Sequence, residues 1–267
     1  MPNSQPVSET VALDLARECL YRFLSAALGD PHGWGWRQVL DDESQQLARE
    51  AGDLLRAEFA DADVTLGFGE LPAEMLDLRP VVAELRRPIA ELRAEYDRVF
   101  GLVIPKECPP YETEYYPTSQ TFQRSQQLAD IAGFYRAFGI EPGPASRERQ
   151  DHVSLELEFM AFMLMKKRLA TVSGEEDSAA IEQGSVCEDA ERNFFRDHLA
   201  WWLPVFAKGL GRKASSGLYA ALAYVIAALV PAERQRLGVE IPVKRVQPEI
   251  IERPEEQSGC AACPIEM

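Results

Sequence analysis

Apolar positions along this chain recur mostly at three- and four-residue steps, the period of a helix. No stretch alternates apolar with polar residues as a half-buried strand does. From Ser8, placed to cap a helix, Val11, Leu15, Cys19 and Phe23 share one face, and Gly29-Asp30-Pro31 predicts its end. A second helical region is expected over 36–62, broken near Gly52. Two more follow over 72–85 and 88–100, each opened by a proline suited to a first turn. After a helix over 124–138 that stops at Gly139, residues 151–169 are apolar on nearly every face. Val153, Leu157, Met160, Met163 and Leu164 predict a helix at the centre of a bundle. Residues 171–191 hold seven acidic side chains and no basic one, and the first part of that stretch reads as a mobile loop. Amphipathic helix returns over 193–210, and a buried-looking helix is expected over 215–230.

The helical period lapses over 101–121, where Pro105, Pro109, Pro110 and Pro117 forbid a regular helix. Aromatic and acidic residues crowd there as Tyr111-Glu112-Thr113-Glu114-Tyr115-Tyr116. Irregular segments of this length inside a compact domain are more often functional than accidental. A loop at 141–150 reads as a hinge, and Pro242, Pro248, Pro254 and Pro264 predict an extended tail from Gly238. The expected architecture is an all-α multi-helix bundle: an N-terminal tail over 1–7, one helical domain over 8–237, and a C-terminal tail over 238–267.

Composition narrows the class. The 267 residues are 46% apolar and 27% charged, ordinary for a globular chain, but 43 acidic against 28 basic residues leave a formal charge of -15. Such a surface repels phosphate backbones and anionic lipid and favours a basic partner. Five cysteines, an odd and scattered set, suit a reducing compartment better than a secreted disulfide framework. With no basic-then-apolar start and no apolar run near the roughly 20 residues of a membrane span, the expectation is a cytoplasmic protein.

The candidate chemistry is thin for an enzyme. Gly209-Leu210-Gly211-Arg212-Lys213 lacks the preceding strand of a phosphate loop and reads as a helix cap and turn. Glu112 and Glu114 are better suited to holding backbone donors than to acid/base work. Asp151 can cap the central helix. His152 and Glu156, four apart, are too few for a metal but are candidates for a binding pocket. Cys260-Ala261-Ala262-Cys263 is a dithiol without a second pair, at most a transient half-site for metal. No resident cofactor is expected.

Three stretches carry a resemblance to the TorD/DmsD/NarJ family of cytoplasmic chaperones. Tyr96-Asp97-Arg98-Val99-Phe100-Gly101, with Pro105 and Pro109-Pro110-Tyr111-Glu112 behind it, is similar to the family's aromatic-x-x-Leu-Phe segment and proline-rich loop. Asp151-His152-Val153-Ser154-Leu155-Glu156-Leu157 resembles its Asp-His helix start followed by Glu-Leu. Phe195-Arg196-Asp197-His198-Leu199, followed by Trp201-Trp202, resembles its C-terminal helix. Val99 stands in place of the usual leucine, and the cysteine tail is not a general family feature. The resemblance implies a non-enzymatic chaperone, monomeric or dimeric, that holds the unfinished catalytic subunit of a molybdenum-containing oxidoreductase until its cofactor is inserted. The chaperone often grips the client's twin-arginine signal peptide.

On that footing the peptide site is expected in a groove between segment 96–116 and the start of the central helix. Tyr96, Phe100, Tyr111 and Tyr115 would supply aromatic surface. Glu112, Glu114 and Asp151 would supply charge, with His152 and Glu156 beside them. Two other readings remain open at this point: a small metal or redox protein using Cys260 and Cys263, and a permanent non-catalytic subunit of an oxidoreductase.

Overall fold

The computed structural model describes residues 5–59, 64–101, 106–116, 121–141, 148–173 and 178–242. Among these the chain is helical and contains no strand. Its α-helices are α1 (Gln5–Leu28), α2 (Trp36–Val39), α3 (Asp42–Phe59), α4 (Arg79–Glu84), α5 (Ile89–Val99) and α6 (Thr121–Ala137). They continue with α7 (Val153–Ser173), α8 (Ser178–Phe194), α9 (Leu203–Ala214) and α10 (Leu218–Leu237). A short 3-10 turn over Glu112–Tyr115 and a π-helical turn over Phe195–Leu199 complete the elements used below. Pro105, Pro117, most of the expected hinge (142–147) and the tail with Cys260 and Cys263 lie outside the described residues.

Helix positions depart from expectation where tertiary contacts outweigh local signals. α1 begins at Gln5, so Ser8 lies inside it rather than capping it. Gly52 does not break α3: a Cβ there would stand 2.6 Å from Leu78 Cδ1, so this glycine makes room for a neighbour. The break falls earlier, at Asp41, whose carboxylate accepts the Ser44 amide at 2.9 Å and caps α3. The acidic stretch from Ser178 is helical because Ala180, Cys187, Ala190 and Phe194 recur on one buried face against α7. Gly209 and Gly211 sit within α9, which ends only at Ser215.

Two apolar helices form the interior. α7 packs between α1 and α8, while α10 is covered by α9, α5 and α4. Fully buried Arg17 ties the two groups together. Its guanidinium donates to Glu233 of α10 at 2.7 and 2.5 Å, to Glu191 of α8 at 2.5 Å, and to Asp14 at 3.1 Å. Tyr21 adds a donor to Glu233 at 2.9 Å. Burial works against the charge on Arg17, but the Glu233 and Glu191 carboxylates more than offset it and hold the guanidinium protonated.

Pro231 sits inside α10, where it cannot donate to the carbonyl four residues back. That carbonyl, of Ala227, instead accepts the Leu71 amide at 2.9 Å. Arg234 grips Glu70 at 2.7 and 2.6 Å and the Thr65 carbonyl at 2.8 Å. Segment 64–71 is thereby strapped along α10. At the other end of α10, Glu95 accepts the Tyr219 amide at 3.0 Å, and Arg87 pairs with the same carboxylate.

Candidate functional site

Segment 106–116 lies across the start of α7, and main-chain bonds join the two. The Glu112 amide donates to the Asp151 carbonyl at 2.9 Å and the Val153 amide to the Pro110 carbonyl at 2.8 Å, with a single bridge between Tyr111 and His152. The groove expected between these segments is therefore closed. Two prolines in a row leave Pro110 without a donor but with a free carbonyl, which suits it to receive the first amide of a helix.

Asp151 does not cap α7. Its buried carboxylate accepts the Thr113 amide at 3.1 Å and the Thr113 hydroxyl at 2.7 Å, and it takes a two-pronged contact from Arg149 at 3.0 and 2.7 Å. The cap belongs to His152, whose Nδ1 accepts the Ser154 amide at 3.2 Å and also faces the Ser154 hydroxyl at 2.7 Å. Burial depresses the His152 pKa, so the ring is neutral, as a cap acceptor must be. His152 and Glu156 do not converge: the imidazole packs edge-on against Tyr111, whereas Glu156 turns toward Trp202. Among the described residues no three His, Cys, Asp or Glu side chains are placed to hold a metal ion.

Beneath the 3-10 turn is a sealed polar cluster. Glu112, Glu156 and His198 are all fully buried. Glu112 accepts Trp201 Nε1 and Gln127 Nε2, each at 2.8 Å, and its other oxygen lies 3.2 Å from His198 Nδ1. Glu156 receives Trp202 Nε1 at 3.2 Å through one oxygen, and its second oxygen has no hydrogen-bond partner. The π-helical turn makes this possible: Trp201 and Trp202 also donate to the Asp197 and His198 carbonyls.

Burial raises both carboxyl pKa values. Glu156 goes well above its ordinary value because Glu112 and Asp151 add to the effect of burial, while His198, Trp201 and Gln127 partly counteract it at Glu112. Glu112, with Trp201 and Gln127 donating to it, is the carboxylate of the pair, and Glu156 keeps its proton.

Glu112 and Glu114 thus face opposite ways. Glu114 is half-buried at the rim, paired with Arg149 at 3.0 Å and with Arg124 at 3.6 Å. The Arg149 guanidinium also lies 4.5 Å from the centre of the Tyr111 ring, and Tyr111 donates to Glu148 at 2.9 Å. Burial and that glutamate push the Tyr111 phenol up to about 12. Tyr115 is interior, its ring tilted against Trp202 with centroids 5.2 Å apart. Tyr96 and Phe100 pack on Tyr219 of α10 at 6.0 and 5.4 Å.

Beside the turn opens a depression of about 540 Å³ lined by Tyr116, Gln123, Gln126, Gln127, Ala129 and Asp130. The Asp130 carboxylate stands at its edge, 3.3 Å from His198 Nε2. Gln127, Asp130, Arg149, His198, Trp201 and Trp202 complete the site but were not singled out for it in the sequence. The signal available was chemical: a histidine and two indole N–H groups in an apolar stretch require buried partners.

Residues 67–208, just over half the chain, match the family described as nitrate reductase delta subunit. The chain belongs to this family, the TorD/DmsD/NarJ group. It is 33% identical over 115 residues to the selenate reductase assembly chaperone protein of Thauera selenatis, covering 43% of this chain and 55% of that one. It is 32% identical over 111 residues to the chlorate reductase assembly chaperone protein of Ideonella dechloratans, covering 42% and 53%. The chain thus spans about half the length of these two relatives. Against the perchlorate reductase assembly chaperone protein of Dechloromonas aromatica the identity is 24% over 245 residues, 90% of this chain and 97% of that one. No described helix is long and apolar enough to cross a membrane.

Proposed function

We propose that this protein is a cytoplasmic, non-enzymatic assembly chaperone for a molybdenum-containing reductase. It holds the immature catalytic subunit, through a basic twin-arginine signal peptide, until the cofactor is in place. The observation that carries this reading is the near full-length similarity to a reductase assembly chaperone, together with two partial matches of the same kind.

The geometry supports a division of labour among the candidate residues. Tyr116 and Asp130 line the depression, and half-buried Tyr111 and Glu114 lie on the same turn as Tyr116, so that aromatic rings and carboxylates are gathered there. Guanidinium groups favour such partners, through forked hydrogen bonds and cation–π contact. Glu112, Tyr115, Asp151, His152 and Glu156 act from beneath by fixing the turn that presents them. Tyr96 and Phe100 anchor α5 to α10.

The test is calorimetric titration with a synthetic twin-arginine peptide of the client, using Glu114→Gln, Asp130→Asn and Tyr111→Phe as surface variants. Glu112 and Asp151 are unsuitable for charge reversal, because each would bury an unpaired lysine. Binding should weaken by roughly ten- to a hundredfold in the carboxylate variants, since a charge-assisted hydrogen bond is worth roughly 1.5–3 kcal/mol. Unchanged affinity in both would remove this face from the site. A permanent-subunit role would instead show the chain retained in the mature, cofactor-loaded enzyme.

A further inference from the structure

On the face of the molecule formed by α9, α10 and the 64–71 strap lies a second groove, of about 470 Å³. Ala207, Gly211, Ala223 and Ala227 form its floor, and such small side chains let another segment approach closely. Two exposed cations one helical turn apart, Lys208 and Arg212, flank it. Neither has a carboxylate partner among the described residues, and the Lys208 ammonium rests instead 4.0 Å from the centre of the Phe68 ring. Phe68 and Tyr224 are 54% and 56% exposed beside them. An apolar trough edged by unneutralised positive charge is unusual on a chain of formal charge -15.

The course of the chain says what covers it. The strap runs antiparallel to α10, with Thr65 held at Arg234 and Leu71 at Ala227. After α10 the backbone turns back at Gly238, in the left-handed conformation. Val239 is buried, and Ile241 lies against the strap: a Cβ on Gly67 would stand 3.3 Å from Ile241 Cγ2. The last described residues are therefore heading along the strap toward Gly69, where the groove opens. The next apolar pair in the chain is Ile250-Ile251, bracketed by Glu249 and Glu252. The eight residues between Ile241 and Ile250 span up to roughly 25 Å, ample for an opening that near.

We propose that the groove is the docking site of this chain's own C-terminal tail. Ile250 and Ile251 fill the trough, and Glu249 and Glu252 pair with Lys208 and Arg212. The segment carrying Cys260 and Cys263 is thereby tethered on the α9–α10 face.

A photocrosslinker tests this in the full-length protein: Gln247→p-benzoylphenylalanine, irradiated at low protein concentration and mapped by peptide mass spectrometry. The expected products are intramolecular links to strap residues 67–71 or to α9 and α10 near Lys208 and Tyr224. Lys208→Glu with Arg212→Glu, both exposed, should cut the yield about fivefold or more, the value of two surface ion pairs. Adding Glu249→Lys and Glu252→Lys should restore it. Links to another face, links only between two chains, or charge-swapped variants that fail to recover would each overturn the proposal.

Discussion

Replacing Glu156 with glutamine should stabilise this protein at neutral pH, although it alters a fully buried hydrogen-bonding side chain. In the native state Glu156 has one oxygen on Trp202 and one without a partner, and it faces the Glu112 carboxylate. Its pKa is raised by burial first and by Glu112 and Asp151 next, from an ordinary 4.5. A carboxyl whose folded pKa is raised contributes stability that is complete below its unfolded pKa. That contribution is lost as pH rises toward the folded value.

Holding the proton therefore costs about 1.4 kcal/mol for each pH unit above the unfolded value, for as long as the pH stays below the folded value. Glutamine fills the same volume, accepts from Trp202, and offers N–H donors to Glu112 without any proton uptake. Urea denaturation followed by tryptophan fluorescence at half-unit steps from pH 5 to 8 checks this. Wild-type stability should fall across that range by up to about 1.4 kcal/mol per pH unit, and E156Q should lack that component of the slope. The variant should gain roughly 1–3 kcal/mol at pH 7. Equal slopes in the two proteins, or a variant weaker at every pH, would refute a protonated Glu156.

Other consequences follow from the same structure. Arg17→Met should lower stability by about 3–5 kcal/mol in denaturant titrations, because Glu191 and Glu233 lose their shared partner inside the core. Gly69→Ala and Gly139→Ala both place alanine at positive φ, but only Gly69 is crowded, with the new Cβ 2.5 Å from the Pro204 carbonyl. Gly139→Ala should cost about 1 kcal/mol and Gly69→Ala clearly more, read as the shift in thermal midpoint. Cys108 should resist iodoacetamide at pH 8 in the native protein and react on unfolding, since burial pushes its thiol up to about 12.

What was legible in the sequence was what periodicity carries. Helices α7 and α10 announce themselves because long stretches of each are apolar on nearly every face, and both occupy the interior. Short-range signals fared worse wherever a distant residue decided the outcome. Gly52 looked like a break but gives space to Leu78, and Pro231 inside α10 frees a carbonyl for Leu71, a contact more than 150 positions away in the chain. The candidate site shows the same division.

Crowded aromatic and acidic residues at 111–116 and the Asp151-His152 pair pointed to one place, and the fold does join them. Which of them face outward was not readable, because that depends on a 3-10 turn sending Glu112 inward and Glu114 outward. Nor could the sequence assign the cap to His152 and the loop clasp to Asp151, since adjacent polar residues at a helix start are interchangeable until Thr113 arrives from the other segment. The buried partners, His198 and the two tryptophans, come from a π-helical turn and the residues just after it, an irregularity no periodic pattern encodes. A carboxylate buried among indole donors is expensive to assemble, and under the proposed function its place directly beneath the half-buried Glu114 and Tyr111 serves rigid presentation of that surface.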